Sequence, residues 1–418
     1  MNRIMVQLIL FILFLLLLDV YIFQAIKTVS ASLGPFWKRS IYFIYWAISL
    51  ATMAVIFATP YLRNQVSSPA WRIYPLAVMI GILIAKLLSV SFFVIDDLRR
   101  FIQWVASLFT NESSSAGLPD GGSHTISRSA FLSWLGLGIG GTIFSTLLYG
   151  FKNQYNYKIH RLKLSFPNLP AAFKGLRIVQ ISDIHSGSFM NSEAVMKGVE
   201  SINALNPDLI LFTGDLVNDR ADEMEPFKGI FSRLSAPMGI FSTLGNHDYG
   251  DYVSWSSPEA KQKNLEKLMR THREMGWKLM MDESIVLERK GEQIGLIGVQ
   301  NTSGKSRFHS YGNLAKAYAD TAATPFKILM SHDPSHWESE IRPDYPDIDL
   351  TLSGHTHGMQ FGVELPWLKW SPVQWVYKQW AGLYEQDNQK LYVNRGFGFI
   401  GYPGRVGILP EITLIELV

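Results

Sequence analysis

The sequence predicts a membrane region of four helices followed by one α/β domain. Three observations predict it. Charged residues make up 17% of the 418 and hydrophobic residues 48%, against about 25% charged in an ordinary soluble domain. Four long apolar stretches crowd into residues 1–150. From about Lys158 onward, short β-rich runs alternate with polar helical stretches, the pattern of a layered core.

The spans come first in the chain. One runs from Ile4 to Phe23, interrupted by Gln7, Asp19 and Tyr21. The second runs from Ile41 to Thr59 and stops at Pro60; the third runs from Ile73 to Ile95 and contains Lys86; the fourth, rich in glycine, runs from Ala130 to Tyr149. Roughly 20 helical residues cross the ~30 Å of bilayer hydrocarbon, so each is long enough. Tyr21, Trp37, Trp71 and Trp104 sit near their ends, as interfacial aromatics do. The first run exceeds the core of a signal peptide and no small-residue cleavage site follows, so it reads as an anchor. Asp19 and Lys86 are expected to snorkel or to pair between helices, because two isolated charges make a poor ion path.

Four spans put the N-terminus and the second half on one side of the membrane. Loops one and three carry Lys27, Lys38, Arg39, Arg99, Arg100 and Arg128, while the other side carries Arg3, Arg63 and Arg72. Positive charge accumulates in the cytoplasm, so the second half is expected outside it, on a bacterial plasma or inner membrane. Ser127-Arg128-Ser129-Ala130-Phe131-Leu132 also resembles a degenerate twin-arginine export signal. Residues 111–125 read as a flexible polar loop, and 151–173 as a linker into a domain at 174–418.

Composition excludes several classes. A net charge of +3 gives no support for a nucleic-acid partner. The chain has no cysteine, which removes disulfides, thiolate metal sites and a cysteine nucleophile.

The polar clusters of the second half follow its apolar runs. Ile181 leads into Asp183 and His185, Phe212 into Gly214-Asp215, Leu244 into Gly245-Asn246-His247-Asp248, Met330 into His332, and Leu352 into Gly354-His355-Thr356-His357. In open α/β sheets, sites form beyond the carboxyl ends of strands, so five such clusters would converge. Asp, His and Asn offer oxygen and imidazole nitrogen without sulfur, a mix that suits manganese, iron or zinc. In Asp-x-His and His-x-His an extended backbone points both ligands the same way.

This ordered set of D-x-H, G-D, G-N-H-D, H and G-H-x-H blocks resembles the calcineurin-like metallophosphoesterase superfamily, in its bacterial membrane-anchored YkuE/YaeI-like type. Ala381-Gly382-Leu383-Tyr384, the segment from Leu391 to Gly398, and Pro410-Glu411-Ile412 resemble that type's tail. Met359 departs from it, where a second glycine is usual. The resemblance implies a four-layer α/β/β/α sandwich and two divalent metal ions, manganese first, with iron or zinc as alternatives. Asp183, His185 and His357 would hold one ion, Asn246, His332 and His355 the other, and Asp215 would bridge. Metal-activated hydroxide would cleave a phosphoester, phosphodiester or pyrophosphate bond. His247 would contact the phosphate and assist the leaving group. Asp248, from its place beside His247 alone, is expected either to orient the imidazole or to make a loop hydrogen bond.

Arg395, Arg405, Lys305 and Arg307 are further candidates for phosphate contact. His160, His272, His309 and His336 lack ligand-like neighbours and read as structural. The segment from Pro366 to Tyr384 holds Trp367, Trp370, Trp375 and Trp380. It is expected either to cap the sheet or to lie on the bilayer and admit a lipid-linked, phosphorylated envelope substrate. A second class stays open: a membrane sensor or transport module with a regulatory phosphoesterase-like binding domain.

Overall fold

The computed structural model describes residues 3–62, 69–109 and 127–418; the 111–125 loop and Arg63 lie outside them. The chain divides into two compact units, Met1–Tyr149 and Gly150–Val418.

The first unit is built from α1 (Arg3–Val29), α2 (Pro35–Leu62), α3 (Pro69–Ser107) and α4 (Arg128–Gly150). All four are long and apolar enough to cross a membrane. Leu17, Phe43 and Trp134 are exposed on their outer faces, as a lipid-facing surface requires. A small core of Leu18, Ile22, Ala25, Ile26 and Phe93 holds the helices together. The glycines of α4 let it approach α3. A Cβ on Gly136 would stand 2.7 Å from the Phe93 ring, and one on Gly140 2.3 Å from Ser89 Oγ; close backbone approach of this kind drives helix association in lipid. The third helix does not stop at Ile95. It continues because Asp96 pairs with Arg99 and Arg100, spacings that share one helical face. Asp19 and Lys86 form an interhelical ion pair at 2.5 Å. Tyr45 and Ser49 also donate to Asp19, at 2.7 and 2.8 Å.

The second unit starts earlier than the sequence suggests. Residues 151–173, expected as a linker, contain β1 (Lys158–Leu164), which pairs in parallel with β14 (Glu411–Leu417). As an edge strand it buries only Leu164 and turns its cations outward, so it lacks the apolar run of a central strand.

The first sheet has the order β1-β14-β2-β3-β4-β5, with β2 (Arg177–Ile181), β3 (Leu209–Phe212), β4 (Ile240–Ser242) and β5 (Lys278–Leu279). The second has the order β12-β13-β9-β8-β7-β6. Its strands are β6 (Glu283–Arg289), β7 (Glu292–Gly298), β8 (Lys327–Met330), β9 (Leu350–Ser353), β12 (Gly382–Gln386) and β13 (Gln389–Val393). Between β9 and β12 lies a small hairpin of β10 (Val363–Leu365) and β11 (Leu368–Trp370).

Side chains alternate across each sheet and define four layers. Ile178, Leu211, Phe241, Leu296, Met330 and Leu352 fill the space between the sheets. Val179, Phe212 and Ile240 on the other face of the first sheet pack on Val199 of α5 (Ser192–Ala204), Phe231 of α6 (Lys228–Phe231) and Leu268 of α7 (Pro258–Glu274). On the outer face of the second sheet, Ile297, Leu329 and Val393 pack against Trp337, Ile341 and α8 (Leu314–Tyr318). Burial on both faces explains why β3 and residues 328–330 of β8 read as unbroken apolar runs, while β9 also buries the hydroxyls of Thr351 and Ser353. The order α/β/β/α is the sandwich expected. β2, β3 and β4 run parallel in one sheet, and β8 and β9 in the other.

Candidate metal centre

The carboxyl ends of those five strands meet. Asp183 and His185 follow β2, Asp215 follows β3, Asn246 follows β4, His332 follows β8, and His355 and His357 follow β9. The structure brings all seven together in two facing groups. Asp183, His185 and His357 offer ligand atoms within 4.8 Å of one another, as do Asp215, His332 and His355. Asn246 joins the second group through Oδ1, 2.7 Å from His355 Nδ1. Asp215 stands between the groups, its Oδ2 3.1 Å from His332 Nε2 and 3.6 Å from His185 Nε2.

The backbone is strained where these residues sit. Asp183, His185, Asp215, His355 and His357 have φ of 52°, 49°, 61°, 72° and 51°. The left-handed region costs an ordinary residue roughly 1–2 kcal/mol, and such strain persists only where the surroundings over-determine it. Two glycines make the crowding possible. A Cβ on Gly354 would stand 2.2 Å from Asp183 Oδ2, and one on Gly245 2.3 Å from Asp215 Oδ1.

The donor set fits a pair of divalent cations. His185 and His357 turn their Nε2 atoms toward each other at 3.0 Å. His185 Nδ1 and His332 Nε2 are buried without a hydrogen bond, although buried polar atoms are nearly always partnered. His332 Nδ1 lies 2.7 Å from the Thr213 carbonyl. That bond makes Nδ1 the donor to Thr213 and turns Nε2 toward Asp215, the orientation in which a histidine whose other nitrogen is held by a carbonyl ligates a metal.

Charge is concentrated to match. Burial raises Asp183, but His357 and then His332 outweigh it and hold the carboxyl below its ordinary range. Burial likewise opposes Asp215, which His332 and then His247 hold well below that range. Burial would lower His332, yet Asp215 lifts it to about 10. Burial drives the His185 imidazole well below its ordinary value. The pocket thus keeps its carboxylates charged.

His247 stands beside the two groups, its ring centroid 5.0 Å from that of His185. Its Nδ1 lies 2.7 Å from the Asn218 carbonyl, so Nδ1 donates there and Nε2 is the nitrogen outside that bond. Asp248 does not orient it. Its carboxylate accepts N–H bonds from Gly245, Asp215, Leu216 and Val217, and so fixes the turns that carry Asp215 and Asn246. Arg395 and Arg405 do not reach toward a phosphate either. Arg395 is buried between Glu411 and Glu364. Arg405 is buried and donates to the carbonyls of His357, Arg395 and Gly398.

Several neighbours of the site carried no sequence signal. Tyr252 accepts from Asn246 Nδ2 at 2.9 Å and stacks on His247. The Tyr377 hydroxyl lies 2.8 Å from His355 Nε2, and the Phe308 ring packs edge-on to His355 at 4.7 Å. Asp333 lies 3.8 Å from His355 Nε2. The tryptophan-rich segment splits in two. Tyr377 and Trp380 are buried with Val373, Ala381 and Ile408, while Trp367 and Trp375 are 80% and 74% exposed.

Comparison with known proteins agrees with this geometry. A family model described as "Probable Calcineurin-like phosphoesterase, transmembrane domain" matches residues 2–154, and one described as "Calcineurin-like phosphoesterase" matches residues 176–359. Phosphodiesterase YaeI of Escherichia coli is 30% identical over 264 residues, 62% of this chain and 87% of its own. UDP-2,3-diacylglucosamine pyrophosphatase LpxG of Chlamydia muridarum is 27% identical over 289 residues, 58% of this chain and 83% of its own. A "Transmembrane protein with metallophosphoesterase domain" of Danio rerio is 28% identical over 266 residues. That match covers 62% of this chain but 57% of the relative, so the chain spans little more than half of that relative's length.

Proposed function

The chain belongs to the calcineurin-like phosphoesterase family, and from that premise we propose that it is a membrane-anchored, dinuclear-metal phosphohydrolase cleaving a phosphodiester or pyrophosphate on a lipid-linked envelope substrate. The observation that carries the reading is the pair of ligand groups on either side of Asp215. Asp183, His185 and His357 would hold one ion and Asn246, His332 and His355 the other, with Asp215 between them. Manganese is the first candidate, with iron or zinc as alternatives, because every ligand is oxygen or imidazole. Two such ions supply the positive charge that polarises a phosphoryl group and lowers the pKa of an attacking water.

The chain's own residues do the rest. The Asn218 carbonyl holds His247 through Nδ1 and leaves Nε2 to the site; in the imidazolium form Nε2 carries the proton that passes to the departing oxygen. Tyr252 braces Asn246, and Tyr377 braces His355. Burial of the carboxylates among imidazoles keeps the centre ready for cations. The exposed Trp367, Trp375, Leu365 and Val376 support an apolar, lipid-bearing substrate, since tryptophan favours the membrane–water interface. The charge balance of the loops supports an extracytoplasmic catalytic domain.

Detergent-purified protein with added Mn²⁺ should hydrolyse bis-p-nitrophenyl phosphate. D215N should abolish this activity and the binding of two ions per chain. H247A should lower kcat by about 10²–10⁴-fold, the usual worth of a positioned acid, and leave the ions bound. A protein that neither turns over the diester nor binds metal overturns the reading.

A further inference from the structure

The loop at 301–311, which follows β7, carries two cations beside the candidate centre. The Lys305 ammonium lies 4.8 Å from the Tyr377 ring centroid, and the Arg307 guanidinium 5.5 Å from the Phe308 ring. Both rings touch His355. Each cation is therefore one side chain away from a residue of the second ligand group. Arg307 is exposed.

Two features bear on these cations. Among the described residues neither makes an ion pair, so both are open to an anion, as Lys378, taken by Glu338, is not. The loop that displays them is pinned at its base. Asn301 donates to the His309 carbonyl at 2.8 Å, Ser303 to Asp333 at 2.6 Å, and Gly304 N–H to Ser335 at 3.0 Å, while the Tyr311 ring stacks on Tyr249 at 3.7 Å.

We propose that Lys305 and Arg307 form an anion subsite for the second phosphate of a pyrophosphate diester, while the first phosphate occupies the centre. The inference rests on the phosphohydrolase reading and narrows its substrate class. The oxygen of a water forms a bond to the first phosphorus and the bridging P–O bond breaks. The bridging oxygen and its electron pair leave on the second phosphate, which the two cations receive. The products are two phosphate monoesters, one of which takes the proton that the water loses. A simple phosphodiester has an uncharged alcohol at that position and draws nothing from the subsite. Lysine and arginine free of carboxylates bind phosphate by charge-assisted hydrogen bonds, and an aromatic face attracts and positions the cation.

The test compares two matched p-nitrophenyl esters on the full-length, detergent-solubilised, Mn²⁺-loaded protein, the first read by released p-nitrophenolate and the second by the p-nitrophenyl phosphate it yields, separated by chromatography. They are bis-p-nitrophenyl phosphate and P1,P2-bis-p-nitrophenyl pyrophosphate. Wild type should prefer the pyrophosphate in kcat/KM. In K305Q/R307Q the ratio of pyrophosphate to diester kcat/KM should fall by at least about tenfold, the scale of lost charge-assisted contacts. K378Q, which removes a cation already paired with Glu338, should not move the ratio. Diester turnover with no pyrophosphate turnover overturns the subsite and spares the phosphohydrolase reading. An unchanged ratio in K305Q/R307Q, whether or not both rates fall, overturns it too. Turnover of neither ester by wild type means that the phosphohydrolase reading itself has failed.

Discussion

At Asp248 a buried carboxylate is spent on four backbone N–H groups, from Gly245, Asp215, Leu216 and Val217. Its sequence neighbour His247 is held by one carbonyl and keeps a free nitrogen. The two residues should fail differently when replaced. In D248N an amide NH2 faces donors where an oxygen stood, and an unsatisfied buried donor costs about 1–3 kcal/mol. D248N should therefore lower the melting temperature, weaken metal binding and reduce activity together. H247A should reduce activity alone, with melting temperature and metal content near wild type. Calorimetry and metal analysis on the two variants decide it; a D248N protein that melts like wild type while losing activity would return Asp248 to a direct role. Adjacency in the chain gave no way to choose, because three of the four partners of Asp248 lie 31 to 33 residues away, in the turn after β3.

In the membrane unit, α1, α2 and α3 share one polar knot. Asp19 receives Lys86, Tyr45 and Ser49, and Lys86 also reaches Ser49 at 3.1 Å. The two charges neutralise each other, so the pair ties helices together. Removing one partner strands the other in a low-dielectric interior, which typically costs 3–5 kcal/mol, whereas replacing both with apolar residues of similar size is often close to neutral. D19L and K86L should each destabilise the detergent-solubilised protein strongly, and D19L/K86L should recover most of the loss. Equal loss in all three, read by thermal unfolding, would mean that the pair acts as more than a tie. The existence of these helices was legible from their apolar runs, but the reach of α3 was not, because Asp96, Arg99 and Arg100 look like a boundary until their i,i+3 and i,i+4 pairing is seen. In the second unit the same rule sorted strands. β3 and residues 328–330 of β8, buried on both faces, were readable as apolar runs. The edge strand β1, with Lys158, His160, Arg161 and Lys163 in seven residues, was not.

Taken whole, the chain joins four spans to a domain whose seven candidate ligands were readable because each follows a buried strand by a few residues. What surrounds them was not readable. Tyr377 lies 22 residues and Arg405 48 residues beyond the histidines they touch, and neither belongs to a pattern. The side of the membrane on which this site operates follows from a different and weaker physical signal, the distribution of lysine and arginine among the loops. Loops one and three carry Lys27, Lys38, Arg39, Arg99, Arg100 and Arg128, and positive loops stay in the cytoplasm. The absence of cysteine from the sequence makes the question open to a direct measurement. Asn388 is exposed in the second unit, and Ser32 is exposed between α1 and α2; with four spans they fall on opposite sides. In intact cells, N388C should react with a membrane-impermeant maleimide and S32C should react only after lysis. The reverse pattern would put the catalytic domain in the cytoplasm and remove extracytoplasmic envelope precursors from its substrates. Labelling of both residues, or of neither, would mean that the number of crossings is not four.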